Sequence, residues 1–372
     1  MTRGTVETWK DLGARLAEAR RAAGLSQAEL ATELRLDRTA ITRIEAGERR
    51  LDALELTRVA ELLKRPVDWF LIPSPLAVVS RRQSRDVADD SQADWLLESL
   101  ARDVSLLVEV KALSVPESFR PKTIESVASA ETAARDVRKS LGLPAGPVWN
   151  LQAIAERAGL FVFSLNLEKE MLDGSYLRLE RGGVALVNGR AQTGRRRFTS
   201  VHELGHHVFA DAFSAEWIVG TDADDRERLI NAFAIHFLMP RESVLPRWQE
   251  LDGSKEPRHA AIVLGAEYGV SWTAVLGHLC NLKLIDDGTR DRLEADRPRR
   301  ADYFEGEIPL KEELAPPSIP PRYAQAVVRA FKGYKVSAER ALELLRGTLD
   351  ADELPPRDAV PLDSMRSQLD LD

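Results

Sequence analysis

The chain has 372 residues, of which 44% are apolar and 30% are charged, and its formal net charge is −7. This length suits two or three domains with ample cores. The negative balance gives no general attraction to nucleic acid, so any DNA binding has to come from a local surface. The single cysteine, Cys280, excludes a disulfide framework and a zinc site built on thiolates.

The N-terminal segment lacks the apolar stretch of a signal peptide. No apolar run approaches the roughly 20 residues that are needed to span a membrane. Together with the scarcity of cysteine, these features predict a cytoplasmic protein with no membrane partner.

The first part of the chain, residues 9–72, has the pattern of several short helices. Ser26 and Glu29 form a capping box at the start of one helix. Asp37 is placed to cap the next helix, which Gly47 ends. A tight turn therefore joins two helices in a helix-turn-helix layout.

The second helix of this pair presents small and basic side chains on one face. At about 100° per residue, Thr39, Thr42 and Arg43 share that face, while Ile41 and Ile44 point to the core. Such side chains suit base edges in a major groove, and side chains at helix starts or in flanking loops suit phosphates. The residues predicted to contact DNA are Gln27, Arg38, Thr39, Thr42, Arg43, Arg49 and Arg50.

The stretch LSQAELA…IEAGERR resembles the XRE family of Cro and phage-repressor DNA-binding domains, over about residues 9–72. The resemblance implies a five-helix domain that binds a DNA operator, commonly as a homodimer. Lys and Arg outnumber Asp and Glu by only one in residues 1–72. This leaves open a module that keeps the fold but binds DNA weakly or not at all.

The remaining chain divides by composition into a spacer, a mixed domain and a C-terminal region. The mixed domain begins with two helices, and then LFVFSLNL, GSYLRLE and GVALVN predict short strands, followed by further helices. The last region contains a proline-rich linker, a helical hairpin broken at Gly333 and an acidic tail. The predicted divisions are a helix-turn-helix domain over 1–72, a linker with a long helix over 73–122, a metallopeptidase-like α+β domain over 123–290, and linker, hairpin and tail over 291–372.

The expected fold is therefore mainly α with one α+β domain. Its parts are an N-terminal five-helix helix-turn-helix domain, a helical linker, a zincin-like domain with a small β-sheet, and a helical C-terminal region with an acidic tail.

The stretch RRRFTSVHELGHHVFADAF contains the pattern His-Glu-Leu-Gly-His. His202 and His206 are four apart on a predicted helix, so both imidazoles can reach one ion. Glu203 follows the first ligand, where it could take a proton from an attacking water. His207 is rotated about 140° from His202 and is not expected to be a ligand.

A catalytic zinc needs a third protein ligand and one open position. Glu227 lies in the first turn of the next predicted helix, and Asn231 follows one turn later, where it could steady a ligand. His236 lies about 180° round that helix from Glu227, so both cannot face one metal, and we choose Glu227. The candidates compared are Asp222, Asp224, Asp225, Glu227 and His236.

The segments DG at Asp173–Gly174, VN at Val187–Asn188, RRFTSVHELGHHVF and ERLINAFAIHFLMP together resemble the ImmA/IrrE metallopeptidases across about 160 residues. The resemblance implies Zn²⁺ as cofactor, with Mn²⁺ as an alternative. The roles it implies are metal ligands at His202, His206 and Glu227 and a catalytic residue at Glu203.

The sequence departs from this family at two positions, Ile230 and His236, neither of which removes a ligand. Tyr176 and His236 are candidates to stabilise an oxyanion, and the sequence does not choose between them. Arg197 and Thr199 are expected to fix the start of the active helix. A structural metal site or a retained but inactive fold is the competing interpretation of the motif.

Three functions follow from joining these two modules. In the first, the N-terminal domain brings a zinc endopeptidase to DNA, where it cleaves a repressor protein and relieves repression in a stress response or in mobile-element control. In the second, the protein is itself a repressor and the zinc domain senses metal or stress without proteolysis. In the third, the chain is the partner-binding half of a toxin–antitoxin or phage-immunity module. The first is the preferred hypothesis.

Overall fold

A computed structural model describes residues 8–63, 65, 67–71, 78–82, 91–117, 124–167, 173–209 and 223–358. Within these residues the chain forms seventeen α-helices and four β-strands. The mainly helical fold with a small sheet confirms the predicted fold class. No single helix in the described ranges has the length and apolar character to cross a membrane, although two consecutive helices bent by 110° pass that test as a pair.

The N-terminal half contributes six helices and one strand: α1 (Trp9–Ala22), α2 (Gln27–Leu34), α3 (Arg38–Glu45), α4 (Ala53–Leu62), α5 (Val67–Leu71), β1 (Val78–Arg82) and α6 (Ser91–Glu109). The central part contributes α7 (Val127–Ser140), α8 (Leu151–Arg157), β2 (Leu160–Leu165), β3 (Gly174–Arg178), β4 (Gly183–Asn188), α9 (Thr193–Val208) and α10 (Ala223–Leu238). The C-terminal part contributes α11 (Arg241–Glu250), α12 (Pro257–Tyr268), α13 (Trp272–Asn281), α14 (Asp287–Ala295), α15 (Arg300–Glu305), α16 (Pro321–Lys332) and α17 (Ala338–Leu345).

Helices α1 to α5 form the predicted five-helix domain around its own apolar core. The capping signals act as expected: the Ser26 side chain accepts from the N–H of Glu29, and the Asp37 side chain accepts from the N–H of Ala40. Gly13 lets α1 approach α3 closely, since a Cβ there would lie 2.3 Å from the carbonyl oxygen of Ile44. The Asp37 cap fixes the start of α3 directly after the turn from α2, and the close contact with α1 packs this helix in place.

The four strands form one sheet in the order β1-β3-β4-β2. Strands β3 and β4 pair as an antiparallel hairpin, β4 pairs parallel with β2, and β1 pairs antiparallel with β3. Strands β2, β3 and β4 match the sequence prediction. Strand β1 was not predicted, because Val78–Arg82 lies in the segment that the sequence assigned to the linker over 73–122. Backbone hydrogen bonds to β3 hold this segment as a strand, although its composition does not predict one.

The side chains of the sheet alternate between two apolar layers, as strand geometry requires. Val162, Ala185 and Val187 face the layer that contains α7 to α10. Phe163 and Leu186 face a second layer formed by α6, α16 and α17. The sheet is therefore covered on both faces, and α9 is fixed against one of them.

The second layer corrects the interpretation of α6 as a spacer, and it gives the C-terminal hairpin a packing role. Asp103 on α6 is buried and paired with Arg340 and Arg346, which hold α17 against α6. The carboxylate of Glu156 accepts from the N–H groups at the start of α16, including that of Tyr323 at 3.0 Å. Segments assigned to separate divisions thus share one hydrophobic cluster. The predicted acidic tail covers residues 349–372 and lies outside the described residues from 359 onward. In its described part, Leu349 and Leu354 pack against the second layer.

Candidate metal centre and DNA-facing surface

Helix α9 carries the His-Glu-Leu-Gly-His pattern and is largely buried between the sheet and α10. Gly205 lies where α9 meets α10, since a Cβ there would be 3.0 Å from Ile230 and 3.1 Å from Phe233. This small residue lets the two helices approach closely. The approach matters because the candidate ligands are divided between them.

The structure brings together three potential ligands, His202, His206 and Glu227. The Nε2 atoms of the two histidines are 3.1 Å apart. The Glu227 carboxylate oxygens lie 3.2 Å from Nε2 of His202 and 3.3 Å from Nε2 of His206. Zinc bonds of 2.0–2.2 Å in a tetrahedron place ligand atoms about 3.3 Å apart, so this donor set fits zinc in both spacing and chemistry.

The electrostatics of this group favour an ionised carboxylate. Burial opposes ionisation of Glu227, but hydrogen bonds and charge from His202 and His206 outweigh it and hold the pKa of the carboxyl well below its ordinary value. Asn231 lies one turn further along α10, with its Oδ1 3.1 Å from Nδ1 of His202. With Nδ1–H donating to this amide oxygen, the His202 ring directs Nε2 toward the other ligands, where its lone pair would bind a metal ion.

The other downstream candidates lie elsewhere. Asp225 is exposed and pairs with Arg228 at 3.1 Å. His236 is buried on α10, with Nε2 3.9 Å from Glu131 and its ring against His278. Asp222 lies outside the described residues, as does the side chain of Asp224. Glu227 is therefore the downstream candidate that the described geometry brings to the two histidines.

Glu203 is fully buried and lies against the first residue of β3. A Cβ at Gly174 would be 2.9 Å from Oε1 of Glu203 and 2.3 Å from Cγ2 of Thr199. The glycine of the Asp173–Gly174 pair is thus required by the close approach of strand and helix. Thr199 contributes packing at this contact, which agrees with its expected role in positioning α9.

His207 and Tyr176 form a separate hydrogen-bonded pair. Nε2 of His207 lies 2.9 Å from the carbonyl oxygen of Ala158, which can only accept, so Nε2 carries the proton. Nδ1 of His207 then accepts from the Tyr176 hydroxyl at 3.0 Å. This agrees with the expectation that His207 is not a ligand. It also removes Tyr176 as an oxyanion stabiliser, because its hydroxyl proton is committed to His207.

Two arginines anchor the N-terminal half of α9. Arg197 is fully buried, pairs with Glu313, and stacks 4.1 Å from the ring centroid of Trp149. Burial lowers the pKa of Arg197 to about 9, which still leaves it charged at neutral pH. Arg196 pairs with Glu312 and donates to the carbonyl oxygen of Gly189 at 2.9 Å. The Arg197 contacts agree with its predicted positioning role, whereas Arg196 and both glutamates were not identified from sequence.

A cavity of about 990 Å³ opens beside the metal-ligand group, between α9, α10 and α13. Asn231 lines this cavity and also contacts His202, so it joins the two features. His236 and His278 line the cavity as well. The cavity was not predicted, because it is assembled from helices that are distant in the sequence.

The predicted DNA-facing residues divide into two groups. The outer face of α3 and the following loop expose Arg38, Thr39, Thr42, Arg43 and Arg50. Gln27 instead donates to Glu45 at 2.7 Å, and Arg49 donates to Glu55 at 2.6 Å. These two side chains are thus held by carboxylates within the domain, while the α3 face stays open.

Comparisons with known proteins agree with this two-part architecture. A model of the IrrE N-terminal-like domain matches residues 155–315, and a helix-turn-helix model matches residues 16–70. These matches confirm the two resemblances seen in the sequence. No curated protein matches the chain.

Two solved structures show weak similarity. A Mycobacterium tuberculosis transcriptional regulator is 18% identical, with 48% of this chain and 51% of that regulator covered and a TM-score of 0.30. The chain therefore spans about half the length of that protein. Bacillus thuringiensis PlcR, solved in complex with the peptide PapR7 and DNA, is 12% identical, with 90% and 79% covered and a TM-score of 0.18. Two separate parts of the chain are thus similar to a helix-turn-helix domain and to an IrrE N-terminal-like domain, an architecture that supports a DNA-binding transcriptional regulator.

Proposed function

We propose that the IrrE-like domain is a zinc-dependent endopeptidase that cleaves a repressor protein, and that the helix-turn-helix domain delivers it to DNA. The observation that carries this proposal is the group of His202, His206 and Glu227, whose ligand atoms are 3.1–3.3 Å apart. Zn²⁺, or Mn²⁺ as the alternative, would be held by these three residues.

The roles proposed for the protein side chains rest on the motif and on the contacts described above. A zinc ion with this donor set supplies a Lewis acid that polarises a peptide carbonyl and makes water more acidic. Glu203 is the general base: its carboxylate accepts a proton from the attacking water and passes it to the leaving amine. Asn231 orients His202 through Nδ1, and Gly174 permits the close approach of β3 to Glu203.

The substrate class follows from the attached domain. A peptidase that carries its own helix-turn-helix is concentrated at DNA, where repressors are bound. The exposed face of α3, with Thr39 and Arg43, supports binding to an operator. Cleavage of a repressor bound nearby would relieve repression.

The test is incubation of the purified full-length protein with Zn²⁺ or Mn²⁺ and repressors encoded beside its gene. Wild type is expected to cleave one of them in a metal-dependent reaction. Glu203→Gln is expected to reduce cleavage at least about 10²-fold, since general-base catalysis contributes 10²–10⁴-fold. Operator binding, measured by gel shift, should be the same for both proteins.

The outcomes separate the three hypotheses. Absence of metal-dependent cleavage, or equal cleavage by Glu203→Gln, contradicts the endopeptidase. If the variant also regulates transcription as wild type does, the protein acts as a non-proteolytic sensor. Stable co-purification of an uncleaved neighbouring gene product would instead indicate a partner-binding module.

A further inference from the structure

The cavity between α9, α10 and α13 has an apolar wall suited to a large side chain. Phe198, Ala232, Ile235 and Ala274 line it together with polar residues. Its volume of about 990 Å³ easily accommodates an aromatic ring. It adjoins the metal-ligand group through Asn231, so a chain held at one feature can reach the other.

A histidine pair among the residues that line this cavity offers one unused hydrogen-bond acceptor, Nδ1 of His278. His236 is 4% exposed and His278 is 1% exposed, and their rings meet edge to face at 4.8 Å. Nε2 of His278 donates to the carbonyl oxygen of Met239 at 2.8 Å, which leaves Nδ1 as an acceptor. Among the described residues, neither Nδ1 of His278 nor Nδ1 of His236 has a partner. Buried acceptors without donors are costly, so a ligand donor would be favoured here.

The charge of the residues that line the cavity determines which kind of hydrogen-bond donor on a ligand is favoured. Its charged residues are Arg190, Arg195, Arg228 and Asp173, which leave a positive excess. Burial lowers the pKa of His278 to about 3, so its ring is neutral at physiological pH. A lysine or arginine side chain would meet repulsion from the arginines. A neutral donor on an aromatic body suits both the acceptor on His278 and the apolar wall.

We propose that this cavity is a specificity pocket that takes a tyrosine side chain from the protein segment presented to the metal centre, with the phenol hydroxyl donating to Nδ1 of His278. The proposal rests on the proposed function in that the ligand is a peptide. It needs no hydrolysis, because it concerns binding alone.

The test measures peptide binding by the full-length, zinc-loaded Glu203→Gln variant, in which hydrolysis is suppressed. The probes are fluorescein-labelled glycine–alanine decapeptides with tyrosine, O-methyltyrosine or phenylalanine at the centre, followed by fluorescence anisotropy. The tyrosine peptide is expected to bind at least about tenfold more tightly than the other two, since they leave the buried acceptor on His278 unpaired. O-methyltyrosine keeps the oxygen and the ring, so it isolates the donated proton.

A second substitution assigns the preference to the pocket. His278→Gln keeps an amide donor where Nε2 meets Met239 and removes the acceptor at Nδ1. In this background the tyrosine preference is expected to fall below about twofold. The matched control is His259→Gln, an exposed histidine on α12, which should keep the full preference. Circular dichroism verifies that each variant is folded.

Three results would overturn the pocket assignment. They are equal binding of the three peptides, no binding of the tyrosine peptide, and an unchanged preference in His278→Gln. Because cleavage is not the readout, failure here leaves the endopeptidase untouched. Conversely, an inactive wild type with a tyrosine-selective Glu203→Gln variant would refute catalysis and keep the pocket.

Discussion

At the scale of single residues, the metal centre depends on which nitrogen of His202 carries the proton. Asn231 decides this, because its Oδ1 lies 3.1 Å from Nδ1 and accepts from it. The His-Glu-x-x-His spacing was enough to predict the first two ligands. The prediction of Glu227 and Asn231 also depended on where the next helix begins, which the motif alone does not determine. The His236–His278 pair could not be predicted, because its members lie on α10 and α13 and only tertiary packing brings them together.

Asn231→Ala is expected to weaken zinc binding by about 10–100-fold, because the His202 ring loses the partner that fixes its tautomer and orientation. The measurement is competition for Zn²⁺ with a chromophoric chelator. Asn281→Ala is the matched control, since Asn281 also lines the cavity but contacts neither histidine of the ligand group in the described contacts. Equal zinc affinity in wild type and Asn231→Ala would refute the orienting role.

At the scale of elements, α9 is held by a segment that lies far from it in the sequence. Residues 307–320, between α15 and α16, form a strap that supplies Glu312 to Arg196 and Glu313 to Arg197. The Glu313 carboxylate also accepts from the N–H of Leu151 at the start of α8. The hydrophobic periodicity predicted α9 itself. The sequence also suggested that residues of this helix, Arg197 and Thr199, fix its start. The partners Glu312 and Glu313 could not be predicted, because the sequence does not show whether a glutamate is exposed or buried.

The two neighbouring glutamates of the strap give a matched pair of substitutions. Glu313→Gln leaves Arg197, which is 0% exposed, without its counter-charge and is expected to cost roughly 3–5 kcal/mol of unfolding free energy. Glu312→Gln alters a carboxylate that is 63% exposed and is expected to cost about 0–1 kcal/mol. Urea unfolding followed by circular dichroism measures both. Similar losses in the two variants would contradict the anchoring role assigned to Glu313.

At the scale of the whole molecule, α6 connects the helix-turn-helix domain to the sheet. One face packs in the layer that contains Phe163 and Leu186. Trp95 of the same helix packs against the core of the N-terminal domain. In addition, Nε1 of Trp69 donates to Glu98 on α6 at 2.9 Å. The sequence predicted a long helix in this part of the chain but not its contacts with two other regions, since periodicity gives an apolar face and not the partner that covers it.

Trp69→Phe is expected to loosen this connection. Burial raises the pKa of Glu98, against the lowering effect of the Trp69 hydrogen bond, so loss of the indole N–H removes a stabilising partner from a half-buried carboxyl. We expect a loss of about 1–3 kcal/mol in unfolding free energy. In hydrogen exchange, amides of α1 and α5 should exchange faster while those of α9 stay protected.

Trp9→Phe, at a tryptophan that is 40% exposed in the same domain, should change neither quantity. Faster exchange throughout α9 in Trp69→Phe would show that the substitution unfolds the whole molecule and would contradict a connection confined to α6.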